Sequence, residues 1–320
     1  MNNWGVIGHD PVVRRLQAAI ERGQVAQSNL IVGPSSVGKT TLAHALARTL
    51  LGTDERTRRL VDIGRHPDVL QLQAEKDKES IGIDPAREWL RTLTLAPVEG
   101  RYRVGVVGSE FPMTEEAQNA VLKTLEQPPP SIVLVIVAGS VDDLLSTIVS
   151  RCQVISLRPA AYGDVCAALI ERGAAEERAG RIARLARGRV GWALRAMKDE
   201  SVLEERDERV VELERMLRAG ATERFACAEK LAKKDDAHVR AMLDEWLLFW
   251  RDVAAASGAA ALANLRNVDR SEFLESVRRR TSLAEVRRIL ELHTRTMRNI
   301  ERNANVRLSL DVLLLNLPKL

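Results

Sequence analysis

Between Gly33 and Thr41 the chain reads GPSSVGKTT, which fits the phosphate-binding pattern G-x-x-x-x-G-K-[ST], with Gly33, Gly38, Lys39 and Thr40 in the fixed positions. Glycine lets the backbone curl until its N–H groups face an anion, and the N-terminus of a following helix adds its dipole. Lys39 would bridge the terminal phosphates of a nucleotide, and the Thr40 hydroxyl would hold magnesium. Pro34, Ser35, Ser36, Val37 and Thr41 complete the stretch that would wrap the ligand. Hydrolysis also needs an acidic pair at the end of a neighbouring strand. That strand reads YRVGVVGSEF, and Gly108 and Ser109 stand where the acids belong. Glu110 lies two residues past Gly108, on the same strand face, and would reach a metal only through a bulge. The expectation is a site that holds ATP or ADP with magnesium and is poorly equipped to hydrolyse it.

These residues need a frame. Short apolar, β-branched runs occur at SNLIVG, DVLQLQ, RVGVVG, IVLVIVAG and QVISL within the first 158 residues. Helical stretches separate them: Pro11–Arg22, Lys39–Leu51, Pro85–Leu95, Thr114–Glu126 and Asp142–Val149. Continuous apolar strands alternating with helices predict an α/β fold, a parallel sheet covered on both faces. Thr114 reads as an N-cap with Glu115 and Glu116 in the first turn, and Pro128–Pro130 stop that helix. The phosphate pattern follows a predicted strand and opens a predicted helix, the context that supports it. After Pro159 the strand signal disappears. Residues 160–200 read as short helices broken at Gly173 and near Gly188–Gly191, and residues 201–320 as helical, with turns at Gly220, Ser257–Gly258 and Asn267–Asp269. Late in the chain Val286, Ile289, Leu290, His293, Met297 and Ile300 share one helical face, while Arg287, Arg288, Arg295, Arg298 and Arg302 share the other.

Composition bounds the function. Of 320 residues 45% are apolar and 29% charged, which excludes extended disorder. The longest apolar run, Ile132 to Gly139, is far below the ~20 residues of a membrane span. No secretory signal opens the sequence, and the expected location is cytoplasmic. Cys152, Cys166 and Cys227 are too widely spaced for a disulfide framework or a zinc pattern. Net charge is +4. Residues 1–158 balance at 18 basic against 18 acidic, and neither later segment exceeds +2, so no part has the basic excess of a stand-alone nucleic-acid binder. Trp4, Trp89, Trp192, Trp246 and Trp250 are scattered, which favours packing over base stacking.

The segments VIGHDPVVRRLQAAIERG, SNLIVGPSSVGKTTLAHALAR, HPDVLQL, IGIDPAREW, MTEEAQNAVLKTLEQPPP and TIVSRCQVISL resemble, in order, the bacterial replicative clamp-loader subunits, which are AAA+ proteins. NANVRLSLDVLLLNLP is similar to the last helix of their collar domain. The resemblance implies an AAA+ module over 1–158, a helical lid over 159–200 and a helical collar over 201–320. It also implies partners: delta and gamma/tau subunits, and through the assembly the sliding clamp and primer-template DNA. Within the family it points to the delta-prime type, which does not hydrolyse ATP, because four features depart from the motor subunits. The acid positions hold Gly108 and Ser109, the sensor-1 polar position holds Ala138 and Gly139, the sensor-2 arginine position falls on Gly191, and the tau-type extension is missing. The gamma/tau motor is the alternative. A phosphate-loop kinase for a small metabolite would need an acceptor site and a lid arginine, for which the helical C-terminal half offers no evident place.

Two further expectations rest on the resemblance. Arg151, in Ser150-Arg151-Cys152, reads from its own residues as a surface ion pair. In the family this arginine reaches across a subunit interface to a neighbour's γ-phosphate, an arginine finger in trans. Cys152 is expected to pack rather than react. The family's four-cysteine zinc module has no counterpart in LGTDERTRRLVDIGRHPD, where His66 alone cannot hold a structural zinc, so zinc is not expected.

Overall fold

The computed structural model describes residues 4–52, 54–74, 78, 80–108, 112–256, 265, 267–301 and 304–320. The chain divides into two compact units, one ending at Leu194 and the other beginning at Arg195. The first contains α1 (Asp10–Glu21), β1 (Ser28–Val32), α2 (Lys39–Leu51), α3 (Glu55–Asp62), β2 (Val69–Leu72), α4 (Ile83–Leu93), β3 (Arg103–Val107), α5 (Glu115–Glu126), β4 (Ile132–Ala138), α6 (Ser146–Val149), β5 (Gln153–Ser156), α7 (Tyr162–Ile170) and α8 (Glu176–Ala186); α9 (Val190–Lys198) runs across the division.

The five strands form one parallel sheet in the order β2-β3-β4-β1-β5. β1, β3 and β4 are buried along their whole length, as both-sided helix cover requires. Successive residues of each strand point to opposite faces. Ile31, Val106 and Val135 accordingly pack with Val13 of α1 and Leu42 and Leu46 of α2, whereas Leu30, Val107 and Leu134 pack with Trp89 and Leu93 of α4 and Val121 of α5. The expected α/β sheet with helices on both faces is therefore present. β1 pairs with β4 from Ser28↔Leu134 to Val32↔Ala138, and β3 with β4 up to Val107↔Ile136. That register brings the C-terminal ends of β1, β3 and β4 together at one edge, where the phosphate loop begins.

One local expectation needs correction. The helix expected over Asp142–Val149 is a 3-10 turn, Val141–Asp143, followed by the short α6. Ser140 and Asp143 cap each other's backbone there, and Leu144 is extended, so the helix cannot run through. In addition, ERTRRLVD forms α3, which apolar periodicity does not announce; Asp54 caps it by accepting from the Thr57 N–H.

The second unit is helical among its described residues: α10 (Ser201–Arg218), α11 (Ala221–Leu231), α12 (Asp236–Ala256), α13 (Ser271–Arg280), α14 (Leu283–Glu301) and α15 (Val306–Leu315). Its core holds Leu213, Met216, Trp246, Phe249, Trp250, Val286 and Leu313. α14 has the expected two faces, with Val286, Ile289, His293 and Ile300 buried and Arg287, Arg288, Arg295 and Arg298 exposed. Arg302 and the turn at Ser257–Gly258 lie outside the described residues. All five tryptophans are buried, which is the packing role expected of them. No described helix is long and apolar enough to cross a membrane.

Candidate nucleotide site and a surface arginine

The loop from Gly33 to Gly38 joins the end of β1 to the start of α2. Gly33 adopts φ +153, and a Cβ there would meet the Leu157 carbonyl oxygen at 2.4 Å, so this turn admits only glycine. Its N–H donates to the Gly139 carbonyl at 3.2 Å, which ties the loop to the end of β4. Ser36 takes a left-handed conformation (φ +61), Val37 is buried, and Gly38 is left-handed at the N-cap of α2. Gly38 has no side chain to cap the helix, so the first amides of α2 face the loop, the arrangement that attracts an anion. Pro34, Ser35, Thr40 and Thr41 are exposed.

Lys39 is the buried cation of the site. Its ammonium donates to the carbonyls of Gly33 at 2.7 Å and Pro34 at 2.8 Å, spanning the loop from inside. Burial lowers its pKa from the ordinary lysine value, and the Asp143 carboxylate acts in the opposite direction. Asp143 is anchored by accepting from the Ser140 N–H at 2.7 Å, and its Oδ2 lies 2.9 Å from where a Cβ at Gly139 would stand. A side chain at position 139 would therefore push the Asp143 carboxylate aside and disturb this cap.

Two further contacts close over the loop, and neither was anticipated as a contact. The Gly191 N–H at the start of α9 donates to the Ser36 carbonyl at 2.7 Å, so the position expected to carry an arginine holds the loop by its backbone. On the other side His9 Nε2 donates to the Val37 carbonyl at 3.0 Å in a buried setting. The VIGHDP segment was the only signal for it. Gly108 sits at the end of β3 with its N–H on the Leu72 carbonyl and has no acid to offer; Ser109 and Glu110 lie outside the described residues. The loop residues thus fit a nucleotide phosphate through backbone amides and Lys39. Among the described residues no cluster of three His, Cys, Asp or Glu side chains could hold a metal. His66 is used locally: its Nδ1 accepts from the Asp68 N–H at 3.1 Å.

Arg151 stands elsewhere. It follows α6 and precedes β5, and β5 runs parallel to β1 from Asn29↔Gln153 to Val32↔Ser156. Arg151 is therefore at the N-terminal edge of the sheet, while the phosphate loop leaves the C-terminal edge. The two are separated by at least the length of a four-residue strand, about 13 Å. The guanidinium is exposed: one terminal nitrogen donates to Glu126 Oε1 at 2.8 Å, the other to the Thr147 carbonyl at 3.0 Å. Cys152 is only half-buried, but burial still raises its thiol pKa to about 11, which keeps it protonated and inert.

Residues 8–161 match the family described as DNA polymerase III, delta subunit. The chain is 31% identical over 158 residues to DNA polymerase III subunit delta' of Escherichia coli, covering 47% of each protein. It is 31% identical over 157 residues to the gamma/tau subunit of Mycobacterium bovis, covering 46% of this chain and 27% of that protein. It is also 31% identical over 173 residues to a replication factor C small subunit of Haloarcula marismortui, covering 54% and 49%. The chain spans about half the length, or less, of these curated relatives. Among solved structures, a gamma subunit-related protein of Thermotoga maritima aligns over 94% of this chain and 97% of its own at 20% identity and TM-score 0.45. In this chain the phosphate loop leaves a β1 flanked by β4 and β5 in an α/β module, and the described residues that follow it are helical. Over residues 8–161, just under half of its length, this chain is similar to DNA polymerase III delta and delta' subunits and to their gamma/tau relatives.

Proposed function

We propose that this chain is a delta-prime-type subunit of a bacterial clamp loader: it keeps a nucleotide-binding loop, does not hydrolyse, and lends Arg151 to the ATP site of a neighbouring subunit. The observation that carries this reading is the placement of Arg151 on the surface, at the sheet edge opposite its own loop and out of reach of a nucleotide held there. The surroundings of the loop support the other half. Among the described residues, Gly108, Gly139 and Gly191 bring no side chain to the acid, sensor-1 and sensor-2 positions on which hydrolysis relies. When a nucleotide is bound, Lys39 and the first amides of α2 would hold its phosphates, and Thr40 its magnesium.

In this reading residues 1–158 form the nucleotide module, 159–200 a lid and 201–320 a collar that joins delta and gamma/tau subunits into a ring. The assembly opens the sliding clamp and places it on primer-template DNA. The test is reconstitution with the gamma/tau and delta subunits. An arginine finger contributes ~10³-fold or more in turnover at the site it serves. Arg151→Ala should therefore silence that one site and lower the ATPase rate of the complex by that site's share. An unchanged rate would remove the finger. The gamma/tau motor is the second reading, because relatives of both types match this chain equally well at 31% identity.

A further inference from the structure

Glu126 is the last residue of α5, at the negative end of a helix dipole, a place where a carboxylate is disfavoured unless a cation answers it. The answer comes from Arg151, 25 residues on, at 2.8 Å. The other terminal nitrogen of the same guanidinium is held by the Thr147 carbonyl at 3.0 Å, with Ser150 Oγ more distant at 3.5 Å. Both terminal nitrogens are thus engaged within the chain, and these are the groups a guanidinium turns toward a phosphate in a two-pronged contact. The frame around the pair is firm. Gln118 of α5 is buried, accepts from the Leu145 N–H at 2.8 Å and donates to the Met113 carbonyl at 3.1 Å, fixing the start of α6 against α5. The ion pair itself is soft: the Arg151 and Glu126 side chains are 36% and 51% exposed, and surface pairs of this kind are weak and screened by salt.

We propose that Glu126 is a positioning residue that parks Arg151 in cis and gives it up when the terminal phosphate of a neighbouring subunit's nucleotide takes its place. The inference rests on the finger reading of Arg151. The exchange swaps one charge-assisted hydrogen bond for another, and the phosphate wins because it carries more charge in a drier setting. Glu126 therefore competes with nucleotide binding at the neighbour.

The experiment is steady-state ATP hydrolysis by the full chain reconstituted with gamma/tau and delta subunits, with ATP varied, for wild type, Glu126→Gln, Glu126→Asp, Arg151→Ala and the Glu126→Gln/Arg151→Ala double variant. Glu126→Gln should lower the apparent KM for ATP by about two- to five-fold. Glu126→Asp should return it toward wild type, and Glu126→Gln should change nothing once Arg151 is alanine. If Arg151→Ala lowers turnover while Glu126→Gln leaves KM unchanged, the parking role is wrong and the finger stands. If Glu126→Gln raises KM, or acts equally without Arg151, Glu126 does not compete through Arg151 and the inference also fails. If Arg151→Ala has no effect, the finger reading falls and takes this inference with it.

Discussion

Asp68 is fully buried and carries a charge, and its surroundings explain how the fold tolerates that. Burial pushes its carboxyl up, but the N–H groups of Glu99, Val98 and Gly100 and the Arg103 guanidinium outweigh it, and the net shift is downward. A carboxylate held below its ordinary value contributes stability above that value and loses it as pH falls toward the folded one. Asp68→Asn should cost about 3–5 kcal/mol, because it leaves the Arg103 charge buried without a counter-ion. Urea unfolding followed through Trp89 would measure this; a cost under ~1 kcal/mol would mean Arg103 finds another partner. The HPD tripeptide was legible as a family signature, yet this role was not, because it depends on a turn 30 residues away folding back onto Asp68.

At the scale of elements, every described strand begins and ends within about a residue of where its apolar run placed it, and for β1, β3 and β4 burial on both faces writes itself into composition. The phosphate loop was legible for a different reason: its glycines and lysine occupy fixed spacings. The grip of His9 and Gly191 on that loop was not, because backbone hydrogen bonds between distant segments leave no local pattern. α3 escaped because its stabilisation comes from an aspartate cap rather than from apolar periodicity. A similar non-local contact joins α11 to the C-terminal helix. Arg224, buried in α11, donates to the carbonyls of Met216, Leu314, Leu317 and Pro318 and so satisfies the end of α15. Arg224→Met keeps the bulk and removes the donors. It should destabilise the C-terminal unit by about 2–4 kcal/mol, readable as a lower denaturation midpoint with α-helical circular dichroism retained in the native state. An unshifted midpoint would contradict this account of the α15 terminus.

At the scale of the whole molecule, the C-terminal unit carries a buried histidine without a mate. His293 of α14 lies edge-on to Trp246 at 6.3 Å, neither ring nitrogen has a hydrogen-bond partner among the described residues, and burial lowers its pKa to about 3. The unfolded chain binds this proton near 6.5 and the folded one does not until about 3, so stability falls as pH drops through that window. About 2 kcal/mol should be lost between pH 7 and pH 5 from this group alone. Denaturation of wild type and His293→Leu at both pH values checks the sign: the variant should lose less, and an equal loss would assign the acid sensitivity elsewhere.

The same scale holds the central claim, that a well-formed phosphate loop sits in a chain that does not turn nucleotide over and places its useful arginine at the opposite edge of the sheet. ATP hydrolysis with magnesium by the isolated full-length chain, wild type against Lys39→Ala, tests it most directly. The account expects no turnover by wild type above the Lys39→Ala background. Magnesium-dependent hydrolysis that Lys39→Ala abolishes would contradict it and make this chain a motor.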